Sequence, residues 1–197
     1  MENEQILTEK QSLEIITQMI NKAKSDYRET GIGALMWGSI VTICSLVTFA
    51  NYYWNWQPAR YVWFLTYIAL VPQVIISVRE SRKTNYKTYN AAAMAGIWIS
   101  FGVALILIIW FINTFQVQHV DTLFLIVYGI PTFATGYTRN FKAMIFGGIA
   151  CWLFAVASMY IAFPYTMLLT AAAALLAWFV PGLMLRRRFL KAKANHV

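Results

Sequence analysis

Few side chains in this 197-residue chain could carry chemistry, and their spacing limits what that chemistry is. An intramembrane hydrolase needs a base beside a nucleophile or a metal. The two histidines are His119, expected in an outer loop, and His196, next to the C-terminus, so neither is expected inside a span. Cys44 and Cys151 lie 107 residues apart inside apolar runs, which matches neither a zinc pattern nor a redox motif, so their simplest use is as small core residues. His119 and Asp121 could share a proton or hold a weak metal at the outer surface, but the expected reading is a solvated loop at a span boundary. No enzyme activity, metal or cofactor is expected. A second kind of chemistry attaches to Pro72, Pro131 and Pro181, each inside an otherwise apolar helix-forming run. Proline lacks an N–H, so the carbonyls of Ile68, Val127 and Ala177, four residues earlier, lose their usual donor. Where no water is at hand such an oxygen needs a hydroxyl, an amide or an ion. Tyr67, Gln73, Tyr128, Thr132, Thr135 and Tyr137 are near enough in sequence to serve. Two uses stand open: local repair of helix kinks, or a polar cavity lined by Tyr67, Gln73, Tyr128, Thr132 and Thr135.

The elements that would position these residues follow from charge. With 59% hydrophobic and 12% charged residues the chain cannot build a water-soluble surface. Its 16 Lys and Arg against 8 Asp and Glu, net +8, would suggest nucleic acid in a polar chain. Here the charges instead punctuate long charge-free runs, the layout of a multi-pass membrane protein with no nucleic-acid partner. A helix needs about 20 residues to cross about 30 Å of hydrocarbon. On that scale the runs give spans of about 31–53, 61–78, 89–113, 122–137, 143–162 and 166–185, with breaks at Asn55-Trp56-Gln57-Pro58 and Phe163-Pro164-Tyr165. The expected fold is an all-α integral membrane protein: six transmembrane helices as three hairpins over residues 31–185, a cytoplasmic amphipathic helix over 1–30 and a basic cytoplasmic tail over 186–197.

Orientation follows from the positive-inside rule. Arg79, Arg82, Lys83 and Lys87 join spans two and three, Arg139 and Lys142 join four and five, and Arg186, Arg187, Arg188, Lys191 and Lys193 follow span six. With the four basic residues before span one, 15 of 16 fall on one side, so both termini are expected in the cytoplasm and Arg60 outside. The outer side would carry an aromatic belt that includes Tyr52, Tyr53, Trp54, Trp56, Tyr61, Trp63, Phe115, Phe163 and Tyr165. The acidic start, Met1-Glu2-Asn3-Glu4, lacks the basic region of a secretory signal, and no cleavage is expected. Before span one, Leu13, Ile16, Ile20, Ala23 and Tyr27 recur at helical spacing, the seam of an amphipathic helix. That seam could pack beneath the bundle, lie among headgroups, or dock on a protein partner or a second copy.

The three prolines precede Arg79, Arg139 and Arg186 by 7, 8 and 5 residues, so all three kinks would lie at similar depth. The outgoing helices share a glycine shortly before a tryptophan, at Gly33 and Trp37, Gly96 and Trp98, and Gly148 and Trp152. A threefold hairpin repeat is one explanation, with these tryptophans inside the bundle. Close helix packing is expected at Ala91, Ala92, Ala95 and Gly96, at Gly147 and Gly148, and along Ala171 to Ala174 with Ala177. Several segments, among them Leu35-Met36-Trp37-Gly38, Gly129-Ile130-Pro131-Thr132-Phe133, Gly147-Gly148-Ile149 and Ala177-Trp178-Phe179-Val180-Pro181-Gly182, resemble a group of small six-span bacterial inner-membrane proteins with a cytoplasmic N-terminal helix. The resemblance covers nearly the whole chain and implies the architecture, but it lends no activity, substrate or catalytic residue. The three-hairpin layout is also loosely similar to the small acid-stress membrane proteins of enteric bacteria.

No ionisable residue falls well inside a span, which weighs against an energised transporter. The expected function is a non-enzymatic interaction or regulatory protein of the bacterial inner membrane. Its cytoplasmic face would touch a protein partner or anionic lipid through Leu13, Ile16, Ile20, Tyr27, Arg79, Arg82, Lys83, Arg186, Arg187 and Arg188. A small passive channel or solute carrier, and an oligomeric scaffold built from copies of the chain, are the alternatives. The N-terminal segment, with four basic and six acidic residues, is expected to compete with lipid or partner for the basic clusters.

Overall fold

The structure, a computed structural model, describes residues 13–14, 17, 30–56, 59, 61–83, 89–115 and 119–194, with side chains described outside 80–91 and 193. Among the described residues 89% are helical and none is in a strand, so the protein is all-α. The helices are α1 (Ile32–Trp54), α2 (Phe64–Lys83), α3 (Tyr89–Thr114), α4 (Val120–Thr138), α5 (Lys142–Ser158), α6 (Tyr165–Ala174) and α7 (Val180–Ala194). A π-helical turn, Leu175–Phe179, joins α6 to α7 without a break. Leu13, Glu14 and Thr17 are also helical and exposed, while Ile16, Ile20, Ala23 and Tyr27 lie outside the described residues.

Each helix covers an apolar run and stops where the backbone can turn. α1 ends on Asn55 in the left-handed region (φ 46°), its N–H bonded to the Asn51 carbonyl, a conformation that asparagine tolerates. The α4–α5 turn places Asn140 at φ 50° and returns the Phe141 N–H to the Gly136 carbonyl at 2.8 Å. Pro164 sits at the N-cap of α6, where its missing N–H costs nothing. Ile32–Trp54, Ala92–Thr114, Val120–Thr138 and Tyr165–Ala192 are each long and apolar enough to cross a bilayer. They assign the chain to a membrane. Phe64–Arg79, the apolar part of α2, and Lys142–Ser158 are shorter: at about 1.5 Å per residue they reach about 24–26 Å, against about 30 Å of hydrocarbon. Of the six expected spans, four therefore meet the length requirement on their own.

The centre of the bundle is α1, α4, α5 and the α6–π–α7 helix, with α2 laid against α1 and α3 against α4. Glycines set the spacing. Contacts pair Gly129 with Trp152, Phe133 with Gly148, and Gly136 with Ile145, so one index falls as the other rises and α4 and α5 run antiparallel. Gly38 of α1 and Gly147 of α5 both close on the π turn: a Cβ at 38 would stand 2.6 Å from the Phe179 nitrogen, and one at 147 would stand 2.6 Å from the Ala177 Cα. Near the same place Gly31 (φ 70°) abuts Gly182, which in turn abuts Leu35. Around this turn Val41, Leu125, Tyr128, Cys151, Ala155, Ala173, Ala174, Ala177 and Trp178 form the buried core.

α3 departs from expectation. Trp98 is 38% exposed rather than inside the bundle, and Ala92, Ala95 and Gly96 are exposed instead of packing closely. A Cβ at Gly96 would meet nothing within 4 Å. The physical reason is that α3 leans on α4 through Phe101 and Leu105, leaving its small-residue face outward. The prolines too sit in unlike surroundings, with Pro131 and Pro181 fully buried and Pro72 half-buried.

Adding a methyl group at the two clasping glycines should force backbones apart. Gly38→Ala and Gly147→Ala are each expected to cost about 1–3 kcal/mol, as overpacking does, while Gly96→Ala stays within about 0.5 kcal/mol. Thermal or denaturant unfolding in detergent micelles checks this, and a Gly96 variant as damaging as the others would contradict it.

Candidate functional site

The residues expected to line a polar cavity separate into three places. Tyr128, Thr132 and Trp178 come together where α4 meets the π turn. The Trp178 indole N–H donates to Thr132 Oγ1 at 2.9 Å, and that hydroxyl donates to the Tyr128 carbonyl at 2.8 Å. The Tyr128 ring packs on Trp178 with centroids 4.8 Å apart. Thr135, about one turn further along α4, is buried and its Oγ1 has no hydrogen-bond partner. Gln73 belongs to a second group between α1 and α2: its Oε1 accepts from the Trp37 indole at 3.0 Å and its amide nitrogen donates to Ser77 Oγ at 3.2 Å. Tyr67 belongs to neither, being 53% exposed on the outward face of α2.

These groups are hydroxyls, indoles and one amide, engaged mostly with each other. Buried indoles need an acceptor, and the tryptophans find theirs across helix boundaries: Trp63 donates to Thr48 at 3.0 Å and Trp152 to the Ile126 carbonyl at 3.2 Å. Thr122 and Ser158 hydroxyls meet at 2.6 Å between α4 and α5. Such bonds hold helices in register in a membrane, where association draws on close packing and interhelical hydrogen bonds. Sequence alone marks each tryptophan as a donor in search of an acceptor, but for Trp37, Trp63, Trp152 and Trp178 the partner lies 15 to 46 residues away, beyond any local pattern.

Several of the described basic residues lie at one end. The Arg188 guanidinium lies over the Phe141 ring at 5.0 Å, tying the end of α7 to the α4–α5 turn, and Arg186 lies over Phe189 at 5.6 Å. Gly31, at the start of α1, touches the Arg186 backbone. Arg139 and Lys142 flank Phe141 in the same turn, and Lys191 and Arg187 are exposed on α7. Arg79 is exposed towards the end of α2, followed there by Arg82 and Lys83. Lys142 opens α5, whose first turn holds no acidic residue. A cation there opposes the helix dipole, at a cost of about 0.3–1 kcal/mol, so helix stability does not account for it. Among the described residues Arg186, Arg187 and Arg188 make no ion pair; their guanidinium groups rest on rings or face outward. Exposed guanidinium groups beside aromatic rings can hold phosphate or carboxylate in two-pronged fashion. This basic end is the candidate binding surface.

The opposite end is aromatic. Tyr52, Tyr53, Trp54, Trp56, Tyr61, Phe163 and Tyr165 are exposed there, Tyr53 donates to the Tyr165 hydroxyl at 3.0 Å, and the Tyr52 and Phe163 rings meet edge to face at 5.8 Å. No protein-family model, curated protein or solved structure matches the chain.

A double-mutant cycle checks the lock at the π turn. Trp178→Phe and Thr132→Val should each destabilise the bundle, with a coupling energy of about 0.5–1.5 kcal/mol between them. Purely additive losses would show that the bond fixes nothing.

Proposed function

We propose that this chain is a non-enzymatic protein of a bacterial inner membrane that crosses it six times as three hairpins with both termini cytoplasmic. Its basic end binds anionic lipid headgroups, and the segment 1–30 forms an amphipathic helix that contends for the same surface or carries a protein partner there. The observation that carries this reading is the run Arg186, Arg187 and Arg188, without ion pairs among the described residues, whose last member lies over the Phe141 ring next to Lys142. Basic residues flanking membrane helices mark the cytoplasmic side, and an aromatic belt opposite them suits the far interface. The two shorter apolar stretches, Phe64–Arg79 of α2 and Lys142–Ser158 of α5, carry Arg79 and Lys142 at this end. Such side chains reach out to the headgroups and make up for missing length. The interior supports interaction over conduction, since Trp178, Thr132, Gln73 and Trp37 spend their polar groups on one another.

Topology is checked by single cysteines in a Cys44→Ser, Cys151→Ser background, labelled by an impermeant maleimide in intact cells. Lys191→Cys should stay unlabelled until the membrane is opened, whereas Tyr160→Cys, at an 86% exposed position, should label at once. The reverse pattern would invert the proposal.

Lipid binding is checked by native mass spectrometry of the protein in mixed phosphatidylglycerol and phosphatidylcholine. Each basic residue near an anionic surface is worth about 1 kcal/mol, so neutralising one of Arg186, Arg187 or Arg188 to Gln should lower phosphatidylglycerol retention about fivefold. Deleting residues 1–28 should raise retention. Equal retention by the triple variant would remove the basic end as a lipid site.

A further inference from the structure

At the aromatic end, opposite the basic surface, one carboxylate stands beside His119 and outside any ion pair among the described residues. Asp121, in the first turn of α4, is half-buried and accepts a hydrogen bond at Oδ2 from Thr166 Oγ1 at 2.6 Å. Among the described residues none forms an ion pair with it. The carboxylate opens into a cleft of about 480 Å³ lined by His119, Val120, Asp121, Ile161, Ala162, Phe163 and Thr166. His119, which precedes it, is held at φ 56°.

The lining decides the class of ligand. A carboxylate at the edge of a membrane, already desolvated in part, gains most from a cationic partner. A metal ion is poorly served: calcium takes six or more oxygens, and zinc in protein sites takes at least three protein ligands. No group of three or more His, Cys, Asp or Glu side chains occurs among the described residues. The remaining walls, Val120, Ile161, Ala162 and Phe163, are apolar, and the Phe163 ring offers a face that attracts an ammonium ion. A volume of this size suits a small organic molecule. We propose that the Asp121 cleft is a binding site for a primary ammonium group attached to a short hydrocarbon, with the carboxylate as counter-charge and Thr166 holding it in place. The ammonium has two sources, a soluble amine or the ethanolamine headgroup of a lipid. This site is independent of the basic end and holds whichever way the chain crosses the membrane.

The test uses the full chain in phosphatidylcholine nanodiscs, with hexylammonium as probe and saturation-transfer NMR as readout, empty nanodiscs serving as blank. Saturable binding is expected, weakened at least tenfold by Asp121→Asn, which keeps an acceptor for Thr166 and removes only the charge. Hexanol should not compete. Equal affinity in the Asp121→Asn protein, or displacement of the probe by equimolar calcium, overturns the proposal. If that variant fails to fold, Ala162→Phe, at an exposed position, fills the cleft and leaves the carboxylate; binding that survives it also overturns the proposal. Repeating the titration in phosphatidylethanolamine nanodiscs assigns the source. A several-fold weaker apparent affinity there identifies the lipid headgroup, and an unchanged one identifies a soluble amine.

Discussion

The bundle depends on how thin two of its helices are beside a third. Gly38 and Gly147 bring the backbones of α1 and α5 against Leu175–Phe179 from different sides, closer than any other side chain permits. In lipid there is no hydrophobic drive to press helices together, so this close approach is itself the adhesive force. The π turn it grips carries Trp178, and the grip aims that indole at Thr132 of α4. Four helices are thereby fixed relative to one another by one five-residue turn and its neighbours. Pro181 follows the π turn almost at once, so two departures from the regular helical hydrogen-bond ladder lie together beside the buried core residues Ala177 and Trp178.

How far this was legible from sequence varies by kind of residue. The all-helical class followed from charge-free runs of membrane length, and the breaks at Asn55 and Pro164 followed from backbone preferences that act within a few residues. Gly147 was marked as a packing residue because small residues in an apolar helix have few other uses. Gly96 carried the same mark and faces outward, because sequence gives a residue's size but not which side of its helix meets a neighbour. The cavity expected around Tyr67, Gln73, Tyr128, Thr132 and Thr135 scattered for the same reason. Those residues are near a proline along the chain, whereas in the fold indoles on other helices supply the partners of Gln73 and Thr132. The π turn itself left no signal, since its sequence, Leu-Leu-Ala-Trp-Phe, would serve equally in an ordinary helix.

The two ends of the bundle differ in how they meet charge. At one, guanidinium groups lie over Phe141 and Phe189, so their stems are sheltered and their charge stays available. At the other, the single described carboxylate is partly sheltered among apolar walls and tied to Thr166. Aromatic rings serve both ends, as platforms for cations of the protein at one and as a belt and cleft wall at the other. Between them the core holds buried threonines and serines, among which Thr122, Thr132, Ser158 and Thr170 bond helix to helix or back to their own backbone while the Ser45 and Thr135 hydroxyls have no partner.

The clasp also has a bearing on how the chain is made. Gly38 and Phe179 are 141 residues apart, and at about 5–20 residues per second synthesis of the intervening segment takes about 7–28 s. For most of that interval, until Tyr165–Ala174 is made, α2 is the main packing partner of α1 yet synthesised, and the glycine face destined for the π turn awaits its neighbour. α4 and α5 can close on each other as soon as both exist, since only a three-residue turn, Arg139-Asn140-Phe141, joins them. Assembly therefore has two stages set by the order of the chain: a local hairpin, then a ring closure that only the C-terminal third can complete. During the first stage α1 depends on whatever protects a nascent membrane helix from a wrong neighbour.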